Sequence, residues 1–200
     1  MIKCIIFDLA DTLVRGLTGI EEKLVRYIPL PKEQILTYLR GGWFIEFLLG
    51  NISEEDYLQE LICRNQWNVD KSILKNIIRE NFNHDIPGMA DIVQQLSGRY
   101  LLVLLSNHGK EWAEYIEAVH GFLKMFKYRF YSYEMKCGKA NPEIYLSLLK
   151  KTNLPPNNCL FIDDREKFLE IAKNEGIHTI KFENCERLKL SLREFGIKIK

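Results

Sequence analysis

The apolar residues of this chain fall partly in short continuous runs and partly in helical spacing. Runs rich in Ile, Leu, Val, Phe and Tyr predict five β-strands, at Cys4–Phe7, 101–105, Tyr128–Tyr131, 159–162 and 177–182. The second and fourth runs are almost uninterrupted, which is typical of strands buried on both faces of a parallel sheet. Apolar residues three or four apart predict helices between the last four strands, at 109–120, 142–151 and Glu166–Asn174. This alternation predicts an α/β fold with a doubly wound parallel sheet.

The segment after the first strand has a different pattern. Its apolar spacing favours helices and no strand, at 20–27, Lys32–Leu39, 43–49, 54–64 and 70–81. Ser53 stands three residues before Asp56, a spacing that predicts a capping box at the start of the fourth of these helices. We therefore predict a helical cap subdomain, residues 15–86, inserted into an α/β core formed by residues 1–14 and 87–200.

Composition and charge narrow the function classes. Hydrophobic residues make up 46% of the 200 residues, enough for one substantial core, and the formal net charge is only +1. This balance gives no electrostatic reason to expect a nucleic-acid or membrane partner. No apolar run approaches the roughly 18 residues of a membrane helix, and the N-terminus lacks a secretion-signal pattern, so we expect a cytoplasmic protein. Five cysteines without a C-x-x-C pair are expected to be reduced thiols.

Polar residues that could carry chemistry follow three of the predicted strands. Asp8 follows the first strand, Ser106 and Asn107 follow the second, and Asp163 and Asp164 follow the fourth. The carboxyl ends of parallel strands meet at one edge of the sheet, where ligands of open α/β sheets bind. Carboxylates gathered there repel one another, and an all-oxygen ligand set suits Mg²⁺. The hydroxyl and amide can hold a phosphate, and a free carboxylate can attack its phosphorus.

These stretches resemble the four motifs of the haloacid dehalogenase-like hydrolases, in the same order along the chain. Residues 7–13, FDLADTL, resemble the first motif, and residues 105–107, LSN, resemble the second. Residues 137–145, CGKANPEIY, resemble the third motif, and residues 161–164, FIDD, resemble the fourth. The resemblance covers nearly the whole chain and implies a helical cap directly after the first motif. It is nearest in pattern to sugar phosphatases of the alpha-glucose-1-phosphate phosphatase type.

The resemblance implies a role for each strand-end residue. Asp8 would be the nucleophile and a ligand of Mg²⁺. The other implied metal ligands are the backbone carbonyl of Ala10 and the side chains of Asp163 and Asp164. The groups that would hold the transferring phosphoryl group are Ser106 and Asn107.

Two positions depart from the family's pattern. Its phosphatases place an acid–base Asp two residues after the nucleophile, where this chain has Ala10, and such a group contributes roughly 10²–10⁴-fold to the rate. Its third motif is expected to place a lysine directly before Pro142, where this chain has Asn141. Asn141 can hydrogen-bond a phosphate oxygen but adds no charge, so Lys139 or Arg165 is a candidate source of that charge.

Several other residues keep two interpretations. Asp11 is either a displaced acid or a turn residue. Four cap residues either line a substrate face or pack the cap helices on the core, namely Arg40, Trp43, Phe44 and Phe47.

We expect a magnesium-dependent phosphatase of a small phosphorylated metabolite, acting through an aspartyl phosphate at Asp8 and slowed or specialised by Ala10 and Asn141. One alternative is a non-catalytic protein that binds a phosphorylated ligand. The other is a hydrolase that acts on a carbon–phosphorus or carbon–halogen bond.

Overall fold

The computed structural model describes residues 1–199 and contains one five-stranded sheet. The strands are β1 Cys4–Phe7, β2 Leu101–Ser106, β3 Tyr128–Tyr131, β4 Cys159–Asp163 and β5 His178–Lys181. They are ordered β3-β2-β1-β4-β5, and every neighbouring pair is parallel. The predicted doubly wound α/β fold is confirmed. Because β1 is the central strand, its carboxyl end lies between the carboxyl ends of β2 and β4.

Helices flank the sheet and fill the insertion. The insertion contains α1 Glu21–Leu24, α2 Lys32–Leu39, α3 Gly42–Leu48, α4 Glu54–Asn65 and α5 Lys71–Phe82. The remaining helices are α6 Met89–Ser97, α7 Lys110–Val119, α8 Ser132–Met135, α9 Glu143–Thr152, α10 Glu166–Asn174 and α11 Cys185–Glu194. The predicted elements omitted α6, although its buried residues are spaced three or four apart, at Met89, Ile92, Val93 and Leu96. The capping box predicted at Ser53 is present.

The two faces of the sheet belong to two apolar clusters. Ile5 and Phe7 of β1 face the larger cluster, whereas Cys4 and Ile6 face the smaller one. This division follows from the alternation of side chains along a strand. Buried residues of the insertion join the larger cluster. The insertion therefore shares the apolar core on one side of the sheet, and its helices α3 and α4 contact α8 and α7.

Several sets of hydrogen bonds connect the insertion to the rest of the chain. The two connecting segments pair with each other, since Val14 forms an antiparallel bridge with Asp85. Glu54, at the start of α4, is only 1% exposed and accepts hydrogen bonds from Trp112 Nε1 and Arg79 Nη2, both at 2.6 Å. This carboxylate thereby joins α4, α5 and α7. The domain boundaries at residues 14 and 87 stay predictions.

Two predictions about the whole chain can be compared with the described residues. Within residues 1–199, no helix combines the length and the apolar character that a membrane crossing requires. All five cysteines are free thiols in the structure.

Candidate active site

Three acidic side chains meet at the carboxyl end of the sheet. Asp8 directly follows β1, and its backbone N–H donates to Ile162 O at 2.9 Å, so it continues the pairing with β4. Asp163 is the last residue of β4, and Asp164 follows it. One carboxylate oxygen from each acid lies within 4.8 Å of the others. Asp8 and Asp163 are buried, whereas Asp164 is half-buried.

Lys139 is the positive charge of this cluster. Its Nζ lies 2.6 Å from Asp8 Oδ1 and 2.6 Å from Asp163 Oδ2, and the residue is only 2% exposed. Two contacts hold its backbone: its N–H donates to Asn107 Oδ1 at 2.9 Å, and the hydroxyl of Tyr145 donates to its carbonyl at 3.0 Å. Of the two candidate sources of positive charge, Lys139 is therefore the one whose ammonium contacts the acids at the strand ends.

Asn141 lies away from the acidic cluster. Its Oδ1 accepts the backbone N–H of Glu143 at 3.0 Å, and its Nδ2 lies 3.4 Å from the Glu143 carboxylate. The residue is exposed and does not line the cleft described below. Its role in holding a bound phosphate stays a prediction; in the structure the side chain supplies an acceptor for one of the first N–H groups of α9.

Burial shifts the protonation of the acidic cluster. It raises the pKa of Asp8 to about 7, a shift that Lys139 opposes and Asp163 increases. It also raises the pKa of Asp164 to about 6, with repulsion from Asp163 as the second cause. Burial lowers the pKa of the Lys139 ammonium, but the attraction of Asp8 and Asp163 outweighs it and the net shift is upward. Lys139 therefore stays charged.

Hydrogen-bond donors border the cluster after β2. Because Asn107 Oδ1 already accepts the Lys139 N–H, the Nδ2 of Asn107 is left to donate to a ligand. Ser106 Oγ lies 3.5 Å from Asp8 Oδ1 and 2.8 Å from Nδ1 of His108. Ser106 and Asn107 thus stand beside Asp8, as their position after the second strand predicted.

His108 was not among the predicted site residues. It is 3% exposed, and burial together with the charge of Lys139 lowers its pKa to about 3, so its ring is neutral. The signal that could have identified it is its position, directly after Ser106 and Asn107 at a strand end.

A cleft of about 220 Å³ opens above the acidic cluster. Its wall includes Ala10 and several residues of the insertion, among them the candidates Arg40 and Phe44. The other two candidates from the insertion, Trp43 and Phe47, pack against neighbouring side chains and do not line the cleft. Trp43 lies under the guanidinium of Arg64, and Phe47 is fully buried.

Asp11 and Arg165 also line the cleft, but each has a structural partner. The two carboxylate oxygens of Asp11 accept the Gly16 N–H at 2.9 Å and the Thr18 hydroxyl at 2.8 Å. With its positive φ of 59°, Asp11 matches the turn interpretation. The Arg165 guanidinium lies 5.1 Å from the ring centroid of Phe168, so Lys139 is the cation that contacts Asp8.

Comparison with known proteins agrees with this geometry. The family model for haloacid dehalogenase-like hydrolases matches residues 2–176. The chain is 26% identical over 195 residues to flavin mononucleotide hydrolase 1 of Arabidopsis thaliana, covering 98% of this chain and 78% of that protein. It is 25% identical over 196 residues to D-ribitol-5-phosphate phosphatase of Bacteroides thetaiotaomicron, covering 92% and 93% respectively.

Among solved structures, a magnesium complex of a HAD family enzyme from Bacteroides thetaiotaomicron has the same fold. The TM-score is 0.77 at 21% identity, with 96% of this chain and 98% of that chain covered. The fold, the motifs and the family model together show that this chain belongs to the haloacid dehalogenase-like hydrolases.

Proposed function

We propose that this protein is a magnesium-dependent phosphatase that acts on a small phosphorylated metabolite through an aspartyl phosphate at Asp8. The observation that carries the proposal is the buried Asp8 carboxylate, which contacts Lys139 and lies close to two further acids in the lining of a cleft. By their names, two similar proteins act on flavin mononucleotide and on ribitol 5-phosphate, which supports a phosphorylated substrate.

The charge of the cluster suits a divalent cation. Asp8, Asp163 and Asp164 carry three negative charges when ionised, and Lys139 offsets one of them, which leaves two. Mg²⁺ prefers oxygen ligands and typically takes one or two protein carboxylates. When bound, the cation would neutralise charge on the carboxylates and on the phosphoryl oxygens.

The hydrogen bonds indicate which oxygens are available for the metal. Both oxygens of Asp163 are occupied, one by Lys139 Nζ and the other by the Arg165 N–H at 2.8 Å. Within residues 1–199, no hydrogen bond reaches Asp8 Oδ2, the Asp164 carboxylate or the Ala10 carbonyl. We propose these three groups as direct ligands, with Asp163 supporting the site by holding Lys139.

The chain's own residues account for the first half of the reaction. An oxygen of Asp8 attacks phosphorus, the bond to the leaving oxygen breaks, and the phosphoryl group becomes attached to Asp8. Lys139 favours the ionised form of Asp8 that this attack needs. Ser106 Oγ and Asn107 Nδ2 would donate to the phosphoryl oxygens.

The insertion would act as the cap of the site. Arg40 and Phe44 of the insertion line the cleft together with residues of the strand ends. Ala10 presents only a methyl group to the same cleft, so no carboxylic acid at this position protonates the leaving group. We therefore expect leaving groups of low pKa to react fastest.

The test is phosphate release from acetyl phosphate, p-nitrophenyl phosphate and alkyl phosphates, with Mg²⁺ and after chelation. We expect turnover that needs Mg²⁺ and is lost in Asp8→Asn. Asp91→Asn is the matched control, because Asp91 is exposed and lies outside the cleft. Beryllium fluoride, a phosphoryl mimic, should bind the wild type and not Asp8→Asn.

The proposal would be contradicted if neither the wild type nor Asp8→Asn released phosphate from any of these substrates. If phosphate and Mg²⁺ still bound to such a protein, it would be a phospholigand-binding relative.

A further inference from the structure

We propose that His108 is the catalytic base that activates water when the aspartyl phosphate at Asp8 is hydrolysed. It would perform the general-base part of the acid–base catalysis, which the methyl group of Ala10 cannot perform. This inference rests on the proposed function and concerns its second half-reaction.

The position of the ring supports this role. His108 lines the same cleft as Asp8 and Ala10. Its Nδ1 is held 2.8 Å from Ser106 Oγ, and its ring packs edge-on against Phe82 with 6.3 Å between the ring centroids. These two contacts orient the imidazole, and they leave its other nitrogen, Nε2, pointing away from Ser106.

Nε2 is accessible from the cleft. Within residues 1–199 it has no hydrogen-bond partner. Among the described residues, the side-chain polar atoms that are inaccessible to solvent and also lack a hydrogen-bond partner are Thr12 Oγ1 and Arg79 Nη1. Nε2 of His108 lacks a partner but is not one of these atoms, so it is accessible to solvent. Because His108 is 3% exposed and lines the cleft, the accessible part of its ring faces the cleft.

The protonation state of the His108 imidazole is suitable for a general base. When Ser106 Oγ donates to Asp8 Oδ1, 3.5 Å away, its single hydrogen is used, so Nδ1–H of His108 donates to Ser106 and the lone pair is on Nε2. Burial and Lys139 hold the pKa of His108 at about 3, which keeps the ring neutral. That basicity is close to that of an ordinary aspartate, the residue that Ala10 replaces.

The step balances as follows. The oxygen of a water molecule forms a bond to phosphorus while Nε2 of His108 takes one of its protons. The bond between phosphorus and the Asp8 oxygen breaks, and its electron pair restores the carboxylate. Inorganic phosphate leaves, and the imidazolium returns its proton to phosphate or to solvent. A neutral His108 serves this step and cannot serve as the acid of the first half-reaction.

The experiment separates the two half-reactions in His108→Gln, with p-nitrophenyl phosphate and Mg²⁺. This leaving group departs without a proton donor, so phosphorylation of Asp8 should proceed. We expect a burst of about one p-nitrophenolate per protein, and steady-state turnover slowed by roughly 10²–10⁴-fold. Acid quenching should then show phosphorylated protein accumulating. His84→Gln, at an exposed histidine outside the cleft, should behave as the wild type does.

Added imidazole provides a second readout. It should restore dephosphorylation in His108→Ala, because a free base can occupy the vacated space, whereas a merely structural role would give no such rescue. His108→Asn guards against misfolding of the glutamine variant, with thermal unfolding and beryllium fluoride binding as the checks on the native site.

Two outcomes would overturn the inference. Either the burst and the steady state fall together in the His108 variants, or the steady state stays at the wild-type rate. Failure of the proposed function has a different signature, since the wild type itself would then form no phosphorylated protein.

Discussion

Replacing Lys139 by Met tests the electrostatic account of the site most directly. The substitution keeps a long apolar stem and removes the ammonium that lies 2.6 Å from both Asp8 Oδ1 and Asp163 Oδ2. The side chains of these residues are at most 5% exposed, so water cannot take over the role of the ammonium. Removing one partner of a buried ion pair typically costs about 3–5 kcal/mol, and we expect a loss of this size in metal-free protein at about pH 8.

The loss should depend on pH. Burial already raises the pKa of Asp8 to about 7, and removing Lys139 takes away the group that opposes this shift. The folded variant therefore binds more protons than the unfolded chain between about pH 4 and pH 8, and its stability falls as the pH rises. At about pH 5 Asp8 is neutral and needs no cation, so the difference from wild type should be smaller there.

Urea unfolding at about pH 5 and about pH 8, with a chelator present, measures both quantities. Lys23→Met is the matched control, because Lys23 pairs with Glu80 at 2.8 Å with side chains that are 43% and 61% exposed. An exposed pair of this kind contributes at most about 1 kcal/mol. The reasoning would be refuted if Lys139→Met cost less than about 1 kcal/mol at the higher pH, or cost the same at both.

Three further predictions concern packing, the third motif and metal-free stability. Gly109→Ala would place a Cβ 2.2–2.6 Å from ring atoms of Phe47, so it should cost about 1–3 kcal/mol and lower the melting temperature; an unchanged melting temperature would contradict this packing. Asn141→Ala should leave the KM for a phosphate ester unchanged and cost about 1 kcal/mol through the lost hydrogen bond from the Glu143 N–H, whereas a raised KM would place this residue in the substrate site. Because the pKa values of Asp8 and Asp164 are raised, metal-free protein should lose stability as the pH rises from about 4 to about 7, and Mg²⁺ should raise the melting temperature more at the higher pH; equal shifts would argue against a metal at these groups.

The placement of the strand-end residues was predictable from the sequence. Continuous apolar runs identify buried strands, and the polar residue after each run lies at the carboxyl end of the sheet. Asp8 and Ser106 therefore had to meet once their strands were neighbours. Because side chains alternate strictly between the two faces of a strand, their positions can be deduced from the sequence alone.

The residues contributed by loops were less predictable. Lys139 and Asn141 are two positions apart, and either could have reached Asp8 by spacing alone. The outcome depends on Asn107 and Tyr145, which hold the backbone of residue 139 from other elements, and on the start of α9, which occupies the side chain of Asn141. None of these contacts leaves a periodic signal in the sequence.

The parallel sheet, the helical insertion after β1 and the acids at the strand ends can all be deduced from local sequence patterns. In contrast, the position of Lys139 between Asp8 and Asp163, and of a neutral His108 beside Ser106, follows from tertiary packing. Side-chain direction in a loop, and the charge state of a buried ring, depend on neighbours distant in the chain. The sequence around Ala10 shows that the usual carboxylic acid is absent, and the fold places the neutral ring of His108 in the same cleft.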